Sequence, residues 1–75
     1  FYRNTAISFN LPSAFPVSLK ITDATGKVIA TLANELLPAG EHTFKWDAAG
    51  NPGGVYFYRL QTGSRVETRK MILIR

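Results

Sequence analysis

The sequence has no cysteine and a single histidine. Disulfides are unavailable, and zinc or iron–sulfur centres are excluded as staples for folding. The missing cysteine removes any positive argument for an oxidising compartment, but it does not argue against export. No apolar run approaches the roughly 18–20 residues that a membrane-spanning helix needs. Nothing in the chain has the charged, apolar and small-residue steps of a secretory leader. Acidic residues are also few: five Asp and Glu stand against nine Lys and Arg, for a net charge of +4. The distribution argues against a phosphate track. Arg3, Lys20, Lys27, Lys45 and Arg59 are scattered, and only Arg65, Arg69, Lys70 and Arg75 gather, near the C-terminus. Scattered basic residues read as plain solubility, and no nucleic-acid partner is expected.

At 75 residues the chain is one small domain. A domain of this size hides only roughly 60% of its unfolded surface, so its stability is marginal. It enters its first strand almost at once, at Thr5, which leads us to expect a module of a longer protein.

Period-two alternation fills most of the sequence, and the stretch Gly53–Leu60 organises it. Two glycines admit a backbone angle that a Cβ resists, and a run of strong β-formers follows. Tyr56, Tyr58 and Leu60 point one way; Val55, Phe57, Arg59 and Gln61 point the other. The polar tail of the second set marks it as outer, so Tyr56, Tyr58 and Leu60 are expected in the core and Phe57 outside. Apolar character on both faces makes this a central strand.

The rest of the chain supplies further strands. Thr5–Leu11 places Ile7, Phe9 and Leu11 on one face; Val17–Asp23 places Val17, Leu19 and Ile21 inward. Asp23-Ala24-Thr25-Gly26 is a turn. A third strand runs from Lys27 to about Leu32, and because Ile29 and Leu32 cannot share a face, a bulge or an early end is expected. Ala33–Leu37 has mild helix preference and is expected to form a turn of helix, stopped by Pro38-Ala39-Gly40. Glu41–Asp47 alternates His42, Phe44 and Trp46 against polar residues, which puts Trp46 in the core with Leu19 and Ile21. A long turn leads into the organising strand, Thr62-Gly63-Ser64-Arg65 is a hairpin turn, and the last strand is Val66–Ile74. The expected fold is all-β: an antiparallel β-sandwich of six to seven short strands joined largely by hairpins, with a small closed barrel as the alternative.

The sequence offers no catalytic constellation. His42 alternates with Phe44 and Trp46 and has no orienting partner, so it reads as packed or rim-bonded. The carboxylates Asp23, Glu35, Glu41, Asp47 and Glu67 fall in separate turns and strands. Asp47–Asn51 looks like a fragment of a calcium loop but offers too few oxygen ligands, so it reads as an Asx turn. The glycines of Gly50–Gly54 are not followed by a helix and cannot cradle phosphate as a P-loop does. No metal, no cofactor and no enzymatic activity are expected.

The order of landmarks is informative where single motifs are weak. Asn4-Thr5-Ala6-Ile7-Ser8-Phe9-Asn10-Leu11-Pro12 comes first, then Leu19-Lys20-Ile21-Thr22-Asp23-Ala24-Thr25-Gly26-Lys27-Val28-Ile29. Leu37-Pro38-Ala39-Gly40-Glu41-His42, Trp46-Asp47 and Gly54–Leu60 follow, and Lys70-Met71-Ile72-Leu73-Ile74-Arg75 closes the chain. Nearly the whole chain resembles the type A C-terminal sorting domain of the type IX secretion system of Bacteroidetes and related phyla. Phe1 stands where that family's opening Pro-Asn-Pro-Phe would end, and the turn after Trp46-Asp47 is shorter than is usual there.

The resemblance implies an immunoglobulin-like sandwich at the C-terminus of a secreted cargo protein. The cargo domain would lie N-terminal in the same chain, and an outer-membrane translocon and a sortase would be the partners. The path runs through the periplasm to the cell surface or the medium. Similar sandwiches occur in flagellar hook-capping proteins and in accessory modules of glycosidases. The competing expectation is accordingly a passive spacer or carbohydrate-binding module of an extracellular enzyme.

The translocon-recognition residues on this reading are Lys70, Met71, Ile72, Leu73, Ile74 and Arg75. Four consecutive apolar residues cannot all face one core in a strand of period two. Either Met71 and Leu73 or Ile72 and Ile74 lie outward, unless the strand is covered on both sides.

Overall fold

The computed structural model describes residues 2–74; Phe1 and Arg75 lie outside the described residues. Six strands follow one another: β1 (Asn4–Leu11), β2 (Phe15–Asp23), β3 (Val28–Leu37), β4 (Gly40–Asp47), β5 (Gly54–Thr62) and β6 (Arg65–Leu73). They build two antiparallel sheets, β1–β4 and β3–β2–β5–β6, packed as a sandwich. Two connections, β2–β3 and β5–β6, are hairpins. The other three cross between sheets, so hairpins do not dominate as the turn spacing suggests.

Alternation decides which side chains meet. On the four-stranded sheet Leu19 lies opposite Leu60 and Ile21 opposite Tyr58, all on the inner face. Val17, Leu19, Ile21, Tyr56 and Leu60 are buried, with Leu19 and Ile21 wholly enclosed. From the two-stranded sheet Ile7, Leu11 and Trp46 are buried against them, and Phe9 and Phe44 pack at the margin with their rings stacked at 5.9 Å. Trp46 meets Tyr56 edge-on across the interior, centroids 5.4 Å apart at 64°. β5 is an internal strand of its sheet, as its two-sided apolar character requires.

Two of the expected β5 assignments, one inner and one outer, change in detail. Tyr58 is on the inner face and packs against the core but is only half-buried. It sits opposite Arg69 on β6, at the margin that a two-stranded sheet leaves open over a four-stranded one. Phe57 is on the outer face as expected, yet neighbouring side chains half-bury it.

The expected turn of helix at Ala33–Leu37 is wrong. Those residues continue β3, with Val17 opposite Glu35 and Phe15 opposite Leu37. Five residues cannot sustain a helix without help, whereas β2 offers a ready ladder of hydrogen-bond partners. The expected irregularity in β3 is present: the pairing steps from Ala33 to Thr31 and from Ala30 to Val28, leaving Leu32 and Ile29 as extra residues. The strand absorbs both slips and does not end early.

The turns follow residue chemistry. Asp23 Oδ1 accepts hydrogen bonds from the backbone N–H groups of Thr25 (2.9 Å) and Lys27 (3.1 Å) and from the Thr25 hydroxyl (2.6 Å). Gly63 takes φ +61° ahead of Ser64, which stays at negative φ. This is the type II′ pattern that suits a two-residue hairpin loop. Gly54 enters β5 at φ +146°, the angle closed to residues with a Cβ.

Tyr56→Ala is expected to cost about 3–5 kcal/mol, the usual loss on emptying a large aromatic core site. Phe57→Ala is expected to cost about 1 kcal/mol, because only part of its ring leaves water. Denaturant unfolding of both variants checks this; a larger loss at Phe57 would mean that the outer face is itself packed.

Candidate functional site

Of the residues expected to meet a partner, Lys70, Met71, Ile72 and Leu73 lie on β6, an edge strand of the larger sheet, and Ile74 follows it. Its period of two divides the apolar run cleanly. Leu73 is 2% exposed and Met71 is half-buried, both turned to the core; Ile72 and Ile74 are 51% and 48% exposed. Lys70 is exposed beside them. The alternative of a terminal strand covered on both faces is therefore not what forms. Of the six expected recognition residues, Lys70, Ile72 and Ile74 are on the surface, Met71 and Leu73 belong to the interior, and Arg75 is outside the described residues.

The outer face also gathers residues that the sequence scatters. Lys20 of β2 is the direct cross-strand partner of Arg59 of β5, and Phe57, two residues before Arg59, is opposite Lys70 of β6. Three cations thus sit in neighbouring rows around Phe57. Sequence reasoning assigned each of Lys20 and Arg59 to an outer face but not the pairing of β2 with β5. Nothing local signals that pairing, since the outer face of β2 carries the polar Ser18, Lys20 and Thr22.

Elsewhere the polar groups serve the fold. His42 Nε2 donates to the Pro38 carbonyl at 2.8 Å, and its ring lies 5.7 Å from that of Phe9, so it is rim-bonded as expected. Ser8 and Thr43 share a hydroxyl hydrogen bond of 3.0 Å across β1 and β4. Asp47 Oδ1 accepts from the Ala49 N–H at 2.9 Å, an Asx turn, and lies 3.6 Å from Arg3 Nε in an exposed ion pair. The loop beyond it is tied by Ala48, whose N–H donates to the Arg3 carbonyl, and by the Tyr56 hydroxyl, which donates to the Pro52 carbonyl at 2.5 Å. Among the described residues no three His, Cys, Asp or Glu side chains come together as a metal site.

A groove of about 540 Å³ opens between the sheets where β1 faces β5 and β6; Phe9, Leu11, Leu60, Arg65 and Glu67 line it. It holds no histidine. A base with an orienting partner, the minimum for nucleophilic or acid–base chemistry, is not assembled there.

The model of the FlgD Ig-like domain family matches residues 3–65 of the 75. The match runs from the residue before β1 to the first residue of β6. No curated protein and no solved structure matches the chain significantly.

Two predictions follow from the polar turns. The Thr25 hydroxyl, bonded to its carboxylate, is the main cause holding Asp23 below the ordinary value of 3.8; desolvation opposes it, and the Lys27 and Thr25 N–H groups and the Lys27 charge add to the lowering. A carboxyl held low in the folded state stabilises above its unfolded pKa, and that contribution is lost as pH falls through the folded value. The melting temperature of the Asp23→Ala variant should lie below that of the parent near pH 6, and the gap should close on acidification below about pH 4. A gap that stays constant would place the role of Asp23 in shape rather than charge. Millimolar calcium should leave the melting temperature of the parent unchanged; a rise of several degrees would reveal a ligand set at the Asp47 turn.

Proposed function

The chain belongs to the FlgD Ig-like domain family, and on that footing we propose that it is a non-catalytic sorting domain of a larger secreted protein. It directs an N-terminal cargo across the outer membrane through a type IX translocon. The single observation that carries this reading is the split of the last strand: Leu73 anchors it in the core while Ile72 and Ile74 stand half-exposed beside Lys70. A strand that served stability alone would gain nothing from outward isoleucines, which cost solubility. Protein machinery that grips apolar side chains flanked by a cation gains both area and orientation from them.

The resemblance of the chain to type A sorting domains supports the same conclusion from the order of its landmarks. The cargo reaches the cell surface or the medium after passing the periplasm, and a sortase is the second partner. The immunoglobulin-like sandwich contributes rigidity and display, not chemistry.

The test uses a reporter fused ahead of the domain in a type IX-competent host. Deleting residues 72–75 should abolish surface display. Because Leu73 is buried, that deletion also damages the core. The decisive variants are therefore Ile72→Ser with Ile74→Ser, and Lys70→Ala. Both should fall in export while their melting temperatures stay within a few degrees of the parent, as expected for exposed positions. Normal display of both variants would sink the sorting reading and leave a passive spacer.

A further inference from the structure

We propose that the outer face of the four-stranded sheet docks an acidic protein surface that carries aliphatic side chains among its carboxylates. The charges come first. Lys20 and Arg59 are direct cross-strand partners, and Lys70 is diagonal to Arg59 through Thr68. Cross-strand partners lie about 5 Å apart at Cβ and diagonal neighbours about 7–8 Å, so three cations share one small area. Like charges directly opposite one another destabilise a sheet.

Among the described residues no carboxylate on this face offsets this. Reading outward positions from the register of β2, β3, β5 and β6, none is Asp or Glu. The ion pair of the described residues, Arg3 with Asp47, lies elsewhere. The face is therefore a standing electrostatic cost in the free domain, and a partner carrying carboxylates removes it.

The apolar side chains decide the class of partner. Phe57 and Val55 are half-buried on this face, and Ile72 and Val28 are 51% and 48% exposed. Phosphates or sulfates alone would set charge against these side chains. A single-stranded nucleic acid needs several aromatic platforms, and Phe57 is the one aromatic outward on these strands. A membrane surface needs exposed apolar side chains gathered in one patch that reaches the acyl boundary, whereas Val28 and Ile72 stand on the two opposite edge strands, β3 and β6, with the half-buried Phe57 and Val55 on β5. An acidic protein surface meets both requirements. The inference stands on the charges and their neighbours, and it holds whatever machinery reads the last strand.

The experiment titrates the isotopically labelled domain with a short synthetic peptide alternating Glu and Val. Amide shifts should move along β2, β5 and β6 on outer-face residues, and affinity should fall at least about tenfold between about 50 and about 300 mM NaCl. Lys20→Ser with Arg59→Ser and Lys70→Ser should weaken binding at least about tenfold, whereas Lys45→Ser, on the other sheet, should leave it unchanged. Lys20→Arg with Arg59→Lys, which keeps the charge, should retain it. Without peptide, Arg59→Thr should raise the melting temperature by a few degrees, because the repulsion is relieved. Shifts confined to the groove beside β1, no saturable binding, an unaffected triple variant, or tighter binding of an oligothymidylate or of phosphatidylglycerol vesicles would each overturn the proposal. So would a lower melting temperature for Arg59→Thr, which would make the cations part of the fold's own stability.

Discussion

The edge-to-face contact between Trp46 and Tyr56 holds the two sheets together. A small domain without disulfides depends on a few large side chains, since each aromatic buries about 150–250 Å². Trp46 lies one residue before the end of β4 and Tyr56 near the start of β5, so their meeting also sets how the chain crosses between sheets. The crossing loop cannot swing freely. The Tyr56 hydroxyl holds it at Pro52, and Ala48, wholly buried, is held through the Arg3 carbonyl. One tyrosine thus fills the core with its ring and orders the longest connection with its oxygen.

Two strands against four is the second constraint. The smaller sheet cannot roof the whole inner face of the larger one. Tyr58 is left half-buried, and Glu67 and Arg69, on the inner side of β6, stay exposed. The inner face needs polar residues along its uncovered margins; β3 supplies Glu35, opposite Val17, at one edge, and β6 supplies Glu67 and Arg69 at the other. Toward its C-terminal end the same strand passes back over the core, and Met71 and Leu73 replace the charges. The change from polar to apolar along β6 is therefore a map of where the roof lies. It leaves the outer face of that strand free to differ, which is where Lys70 and Ile72 stand.

Strand faces were legible in the sequence because a period of two is a local property. Val17, Leu19 and Ile21 are inside for the same reason that Lys20 is outside, and no knowledge of partners is needed. Turn chemistry was equally local, as Asp23 and Gly63 show. Pairing was not legible, because β1 joins β4 and β2 joins β5 across long separations. That gap hid the Lys20–Arg59 neighbourhood and made a basic surface look scattered. Residues 33–37 failed for a related reason. Their own preference is weakly helical, and the ladder that overrides it is supplied by β2, a strand whose edge the sequence does not announce. At the candidate site the alternation of Met71–Ile74 was legible, but which pair faces out is decided by the smaller sheet's position.

The division of β6 into a core half and a displayed half has a consequence for recognition. Ile72 and Ile74 hold fixed positions only while Leu73 and Met71 are seated in the core, because a strand keeps its faces only as long as it keeps its register. In the unfolded chain the same four residues form one undirected apolar run. Lys70 and Arg59 likewise become neighbours only through the β5–β6 pairing, and Lys20 joins them only through β2. On the proposed reading, a partner that needs the cations and the isoleucines together meets them in that arrangement only on the folded domain. Recognition at this face is then coupled to folding through the side chains that alternate with those it touches. A domain that is small and marginally stable is suited to such coupling, because a modest loss of core packing removes the displayed pattern along with the fold.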